Sequence, residues 1–200
     1  AGAPFAGVEA IPGGYVRAQE DDDLAAAAAR VLREKCGLGP RSGVWLEQLA
    51  SFGGAARDPR DWSVSVAYWA LVPPQALAGP EQPVRLAEAG RAKGLPFDHD
   101  RIVAAALARL RSKAGYTTAP ARLLPPLFSL RDLEEAYEAC LGRKVFTAGF
   151  RRRMEALTIT RGGRETPWLR ATGQTRRIGG RPAMLYEKAT ADVVVFPQMF

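Results

Sequence analysis

Residues 14–38, GYVRAQEDDDLAAAAARVLREKCGL, decide the fold of the first half of the chain. Asp21, Asp22 and Asp23 precede an alanine-rich run, and acidic residues there suit the capping and the dipole of a helix amino terminus. Gly37 suits the end of the same helix, since glycine adopts the left-handed conformation that closes many helices. The stretch therefore predicts a helix over residues 24–36.

Strand and helix patterns around this stretch predict an α+β fold. Residues 10–16 (AIPGGYV) have the pattern of a strand that contains a Pro-Gly-Gly turn. Residues 44–51 and 63–72 have strand patterns as well, and the second alternates in the manner of a half-buried strand. Residues 98–114 carry apolar side chains at helical spacing, which predicts a second helix.

The second half of the chain predicts two helices followed by a basic hairpin. Ser129 and Asp132 form a capping pair that starts one helix, and another helix begins at Thr147. Hydrophobic strands near residues 157–160 and 183–188 flank a segment rich in glycine and arginine. This is the element order of a winged helix-turn-helix.

The proline-containing segment over residues 117–126 is the predicted linker between two domains, residues 1–116 and residues 127–200. The chain has a net charge of +7, and between Leu141 and Lys188 it carries twelve lysines and arginines against three glutamates. A basic surplus confined to one end favours a domain that binds a polyanion, and the alternative is a solvated basic face.

Composition limits which classes of protein and which kinds of site remain possible. No apolar stretch approaches membrane-spanning length, so we expect a cytoplasmic protein with no membrane partner. Cys36 and Cys140 lie far apart, and we expect both to be buried apolar residues. With one histidine, His99, and no CxxC pair, the sequence predicts no metal site.

Gly14, five residues, Glu20, and then RVLREKCGL over residues 30–38 resemble a Nudix box. The spacing departs from the family pattern, since nine residues instead of seven separate the glutamate from the arginine. Three glutamates of that pattern share one helix face, where they can hold Mg²⁺. Here those positions are Val31, Glu34 and Lys35, so the resemblance implies binding without hydrolysis and no catalytic residue. The alternative is an ordinary strand, loop and helix with Glu34 on the surface.

An ordered set of further motifs extends over nearly the whole chain: PGGYV at 12–16, LEQL at 46–49, FG at 52–53, RDPR at 57–60, VSVAY at 64–68, FDH at 97–99, FRR at 150–152, GGRP at 179–182 and LY at 185–186. Together these motifs resemble the Nudix-related transcriptional regulators of NAD metabolism, the NrtR-like proteins. The resemblance implies an amino-terminal Nudix-like α/β/α domain followed by a winged helix-turn-helix. Nudix folds place strands before Pro12, so we expect either a truncated amino terminus or a reduced sheet.

The resemblance also implies a function. It implies a homodimeric repressor of NAD biosynthesis or salvage genes that binds a palindromic operator in double-stranded DNA. Its effector is expected to be ADP-ribose or a related nucleotide, with a pentose-derived ligand as an alternative, and no cofactor is required. The candidate ligand-binding residues are Gly13, Gly14, Arg30, Glu34, Lys35, Arg57, Arg60 and Trp62.

The candidate DNA-binding residues are Thr147, Arg151, Arg152, Arg153, Arg176, Arg177 and Arg181. Consecutive helical residues point about 100° apart, so we expect one or two arginines of 151–153 to read bases and the others to contact phosphate. The GGRP turn is expected to let an arginine enter a minor groove. A flexible basic loop is the alternative for residues 161–170.

Two other functions remain open from the sequence alone. One is a Nudix hydrolase acting on ADP-ribose or another nucleoside diphosphate derivative, against which Val31 and Lys35 argue. The other is a Nudix-like interaction module whose basic end binds RNA without specificity.

Overall fold

A computed structural model describes residues 5–39, 44–77 and 84–197. The chain divides between Arg109 and Leu110 into two compact units, the amino-terminal unit and the carboxy-terminal unit.

The amino-terminal unit is built on a helix and a hairpin. Helix α1 covers Leu24–Cys36, and strands β1, Trp45–Gly54, and β2, Ser63–Leu71, pair in antiparallel fashion. The register shifts between Gln48 and Ala50, and α1 packs against β1. Helix α2, His99–Tyr116, follows and crosses the boundary between the units. The buried apolar residues of this unit are Ala27, Cys36, Leu38, Leu49, Phe52, Trp69, Leu71 and Ile102.

Local capping explains α1, and the predicted helix over 24–36 is confirmed. The Asp23 side chain accepts from the backbone N–H of Ala26 at 2.7 Å, and Gly37 closes the helix at φ 67°. The strand predicted over residues 10–16 is wrong, since residues 8–17 have no regular secondary structure. Pro12 has no N–H to donate, and the carbonyl of Tyr15 accepts from the Arg30 side chain instead of from a neighbouring strand.

After the end of α2, the described residues of the carboxy-terminal unit form two further α-helices and two hairpins. Helix α3 covers Leu130–Leu141 and α4 covers Thr147–Ala156, and they are followed by β3, Thr158–Arg161, β4, Arg164–Pro167, β5, Leu169–Ile178, and β6, Arg181–Lys188. Strands β3 and β4 pair with each other, as do β5 and β6, and both pairs are antiparallel. The predicted Ser129–Asp132 capping box is present.

The structure corrects the prediction of one hairpin around an irregular basic segment. Both hairpins turn through two glycines, Gly162–Gly163 at φ 57° and 76° and Gly179–Gly180 at φ 55° and 82°. Two positive φ values in a two-residue loop are the geometry of a type I′ turn, which favours glycine. The glycine pairs are therefore explained by strand reversal, and residues 161–170 are part of the hairpins instead of a flexible loop.

Residues 117–126 lie in the carboxy-terminal unit and do not form an exposed linker. Thr117, Pro120 and Ala121 are fully buried, and a 3-10 helix covers Ala119–Leu123. The Tyr137 hydroxyl donates to the carbonyl of Thr117 at 2.8 Å. The core around them consists of Ala121, Phe128, Leu133, Tyr137, Phe150, Met154, Trp168, Leu169 and Phe196.

Candidate ligand site and candidate nucleic-acid interface

Arg30 is the centre of a buried ion-pair network in the amino-terminal unit. Its Nε and Nη2 donate to the two carboxylate oxygens of Asp21 at 2.8 and 2.7 Å, and Nη2 also donates to the carbonyl of Tyr15 at 2.8 Å. These hydrogen bonds from Arg30 are the main reason that the pKa of Asp21 is lowered to about 2. The network attaches residues 15–21 to helix α1, so Arg30 positions the preceding loop.

Glu34 belongs to the same network. Its carboxylate accepts from Arg17 Nη1 and Nη2 at 3.0 and 3.1 Å and from Arg30 Nη1 at 3.3 Å. The neighbouring positions on the box face are Val31, whose methyl lies 2.9 Å from where a Cβ on Gly14 would be, and Lys35, which is exposed.

This face does not fit a Nudix magnesium site. It offers the single carboxylate of Glu34, and both oxygens of that carboxylate already accept hydrogen bonds from guanidinium groups. Mg²⁺ is bound in proteins through carboxylate oxygens that are free to coordinate it, together with water and substrate phosphates. Within the described ranges, no group of three or more histidine, cysteine or acidic side chains is placed to bind a metal ion.

Arg57 occupies a second buried ion pair. It donates to Ser63 Oγ at 2.9 Å and to Asp98 Oδ1 at 2.8 Å. For three buried atoms here, Nε of Arg57, Oδ2 of Asp98 and Nδ1 of His99, no hydrogen-bond partner lies among the described residues. Burial lowers the pKa of His99. The preceding residue, Phe97, has a positive φ of 59°, a conformation that non-glycine residues rarely adopt.

The loop between β1 and β2 brings aromatic and cationic groups to the surface. The Arg60 side chain pairs with Asp58 at 2.7 Å and lies 5.9 Å from the centre of the Phe97 ring. Its pKa is raised, mainly by the hydrogen bond to Asp58, and the side chain of Tyr15 acts in the same direction. Tyr15 and Trp62 are strongly exposed. The structure thus brings the segment after Gly14 next to Arg60.

The predicted ligand residues therefore fall into two groups. Arg30, Glu34, Arg57 and Arg60 are held by ion pairs with acidic or basic neighbours. Gly13, Gly14, Lys35 and Trp62 are exposed. Sequence reasoning did not identify Asp21, Asp58 and Asp98 as the partners of these arginines. Ligand contact by any of the eight remains a prediction.

In the carboxy-terminal unit, helix α4 is oriented by its apolar side. Phe150 and Met154 are buried, and the rings of Phe150 and Tyr137 meet edge to face at 5.1 Å. Next to this apolar row, the Thr147 hydroxyl donates to the Glu134 carboxylate of α3, and Arg151 Nη2 donates to the same carboxylate at 3.1 Å. Arg152 and Arg153 are exposed.

The wing formed by β5 and β6 carries the remaining predicted DNA contacts. Arg177 and Arg181 are exposed near the turn, where Ile178 pairs with Arg181. Arg176 instead forms an ion pair with Asp132 at the amino terminus of α3. Arg176 and Arg151 are thus both tied to acidic residues of the α3 amino-terminal half, and DNA contact by the seven predicted residues remains a prediction.

Sequence reasoning also missed Phe146. This residue immediately precedes α4, at the cap position, and is 82% exposed. The available signal was an aromatic residue where a capping side chain is expected.

Comparison with known proteins identifies the class of the carboxy-terminal unit first. Residues 120–187 match the family model described as the NrtR DNA-binding winged helix domain. The chain is 40% identical over 197 residues to the Acinetobacter baylyi protein named ADPR responsive transcriptional repressor NtrR, a match that covers 95% of this chain and 74% of that protein.

Solved structures agree over almost the whole chain. Shewanella oneidensis NrtR, crystallised with a 27mer DNA, matches with a TM-score of 0.78 and 33% identity, covering 94% of this chain and 82% of that chain. A MutT/nudix family protein from Enterococcus faecalis matches with a TM-score of 0.65, covering 94% of this chain and 78% of that chain. At 21% identity, the second match concerns the fold alone.

A Nudix-like unit followed by a winged helix therefore defines the class of this protein, and the predicted α+β fold class is confirmed. The chain belongs to the NrtR family, as its sequence motifs indicated. Within the part of the chain that the structure describes, no helix combines the length and apolar character needed to span a membrane.

Proposed function

We propose that this chain is a DNA-binding transcriptional repressor that responds to ADP-ribose or a closely related nucleotide. One observation carries the proposal. Helix α4, which buries one face in the core, is followed by a basic hairpin, and both lie in a unit that matches the NrtR winged helix model. The A. baylyi relative is named for repression and for its response to ADPR, and the S. oneidensis relative was crystallised with DNA.

For DNA, the proposal assigns base contacts to the exposed side of α4 and backbone contacts to the wing. Recognition helices place their amino-terminal residues in the major groove, and exposed arginines elsewhere contact phosphates. Arg177 and Arg181, at the end of a type I′ hairpin, suit a phosphate or minor-groove contact. Two copies in a homodimer would read the two halves of a palindromic operator near NAD-metabolism genes.

For the effector, we assign stacking to the exposed aromatic rings and phosphate contact to Lys35. Trp62 and Tyr15 can stack on a base, and Lys35 is an exposed ammonium on the box helix. Arg30, whose hydrogen bonds are taken up by Asp21 and Tyr15, shapes the loop. Effector binding would raise or lower the affinity for DNA by favouring one arrangement of the two winged helices in the dimer.

The proposal includes binding without turnover. Glu34 is the one carboxylate on the box face and is held by Arg17 and Arg30, so it is poorly suited to bind Mg²⁺ or activate water. AMP release from ADP-ribose with Mg²⁺, at a rate that depends on Glu34, would contradict this part and favour the hydrolase.

The test is binding of the full chain to duplexes from the upstream regions of NAD-metabolism genes, by fluorescence anisotropy at several salt concentrations. We expect sequence-selective binding that ADP-ribose alters. Arg181→Ala should weaken binding to all duplexes and reduce the salt slope by about 1. Arg91→Ala, which removes a strongly exposed arginine of the amino-terminal unit, is the matched control and should change neither.

Trp62→Ala should reduce the response to ADP-ribose while DNA binding without effector is unchanged. Equal affinity for unrelated duplexes and RNA, with no response to ADP-ribose, would overturn the proposed function.

A further inference from the structure

Phe146 is an exposed aromatic side chain at the start of α4, the recognition helix of the proposed function. It is the cap residue of α4 and is 82% exposed, although its neighbour Val145 packs against the core. Phenylalanine has no side-chain acceptor for the free N–H groups of the first turn, and no side-chain cap hydrogen bond is formed. Phe146 therefore provides no side-chain cap and exposes a large apolar surface, which indicates a role other than stability.

Hydrogen bonds on both sides of Phe146 fix its backbone at the helix amino terminus. The N–H of Val145 donates to Glu138 Oε1 at 3.1 Å, and the carbonyl of Phe146 accepts from the N–H of Phe150 at 2.9 Å. A Cβ on Gly149 would lie 3.0 Å from the Phe146 ring, so glycine at this position lets the ring lie against the first helical turn. The ring is thus attached at a fixed backbone position at the helix amino terminus, next to Gly149.

The charge around the ring indicates which partner it meets. Arg143 and Lys144 precede it and are exposed, Lys144 in an ion pair with Glu138, and Arg152 follows on the exposed side of α4. The cores of protein–protein interfaces are depleted of charged residues, whereas protein–DNA interfaces are strongly positive. A lone apolar ring among cations at a recognition-helix amino terminus therefore fits the major groove, where the thymine 5-methyl group is the apolar feature.

We infer that Phe146 is a specificity-determining residue that contacts the 5-methyl group of a thymine in the operator. The inference rests on the proposed function, because it requires that α4 enters the major groove. It predicts that one thymine in each half-site is recognised through its methyl group and not through hydrogen bonds alone.

The experiment uses duplexes enriched from a random library by the wild-type full chain, with each thymine replaced in turn by uracil. We expect the wild type to lose about fourfold in affinity at one position, the effect of removing one buried methyl group. Phe146→Ser should lose about tenfold on the unmodified duplex. The same variant should lose nothing further when that thymine becomes uracil.

The melting temperature of Phe146→Ser distinguishes a role of the ring in DNA contact from a role in the fold. Serine can cap α4, so Phe146→Ser should raise the melting temperature by about 2–4 °C while it weakens operator binding. Val195→Ser removes another strongly exposed apolar side chain of the same unit, outside α4 and the hairpins, and should leave DNA affinity unchanged.

The outcomes distinguish the inference from the proposed function. A wild-type chain without sequence preference would refute the proposed function and this inference with it. Selective binding in which no uracil substitution matters, or matters equally in Phe146→Ser, would refute the inference alone. A lower melting temperature in Phe146→Ser, or an altered oligomeric state on sedimentation, would assign the ring to the fold or to a protein interface and overturn the inference.

Discussion

Replacement of Glu134 by glutamine should destabilise the carboxy-terminal unit. Glu134 is 8% exposed, and its carboxylate accepts from the Thr147 hydroxyl and from Arg151 Nη2. Hydrogen bonds to charged groups contribute about 1.5–3 kcal/mol each. Glutamine keeps one acceptor and loses the charge, so we expect a loss of about 2 kcal/mol in the free energy of unfolding. For a chain of this length that corresponds to a decrease of about 4–8 °C in melting temperature.

Although Glu134→Gln should lower the stability of the unit, it should raise the affinity for nonspecific DNA. Without the carboxylate, the charge of Arg151 is no longer compensated, so affinity for unrelated duplexes should rise and the salt slope should steepen by about 1. Selectivity should fall, because the hydrogen bond that orients Arg151 is weakened. Thermal unfolding followed by circular dichroism and anisotropy titrations at several salt concentrations measure both effects.

Glu135→Gln is the matched control, since it makes the same charge change one residue along α3. Glu135 is exposed and pairs with Arg131, and exposed pairs of this kind contribute at most about 1 kcal/mol. Equal melting temperatures for the two variants, or an unchanged salt slope in Glu134→Gln, would show that Glu134 does not organise the recognition helix.

Two further predictions concern the amino-terminal unit. Gly14→Ala should destabilise it by about 1–3 kcal/mol, because the new Cβ would lie 2.9 Å from a methyl of Val31, whereas Gly13→Ala meets nothing within 4 Å and should be tolerated; denaturant unfolding of both variants is the measurement. The hydrogen bonds from Arg30 hold the pKa of Asp21 at about 2, below its unfolded value, so their stabilisation is present above about pH 4 and is lost as the pH falls towards 2. Unfolding measured across that range should show a flatter acid limb in Asp21→Asn, and identical pH profiles would contradict the assignment.

The helix ends that the sequence predicted correctly are those set by residues close to them in the chain. Asp23 and Gly37 bracket α1, and Ser129 with Asp132 starts α3, because capping depends on residues within one turn of the helix end. The strand predicted over residues 10–16 failed for a nonlocal reason. The Tyr15 carbonyl there accepts from Arg30, fifteen residues later, and no local pattern reports that bond.

For the candidate sites, the sequence shows which charged residues are present but not which of their charges are already paired. Arg57 pairs with Asp98 across 41 positions, and Arg176 pairs with Asp132 across 44. Neither pair follows from spacing, because both depend on how separate elements pack. Sequence reasoning therefore counted arginines correctly but could not tell which of them are already bound to a carboxylate.

The distribution of these carboxylates bears on how the winged helix would read DNA. Glu134 and Asp132 form ion pairs with Arg151 and Arg176, which lowers the nonspecific attraction of both arginines to phosphate, and the buried Glu134 restrains the Arg151 guanidinium on α4. Bidentate recognition of a base needs such fixed geometry, whereas a phosphate contact tolerates a mobile side chain. The exposed arginines of the wing suit the second task. We therefore expect substitutions of Glu134 to reduce selectivity, and substitutions of Arg177 to reduce affinity for every duplex.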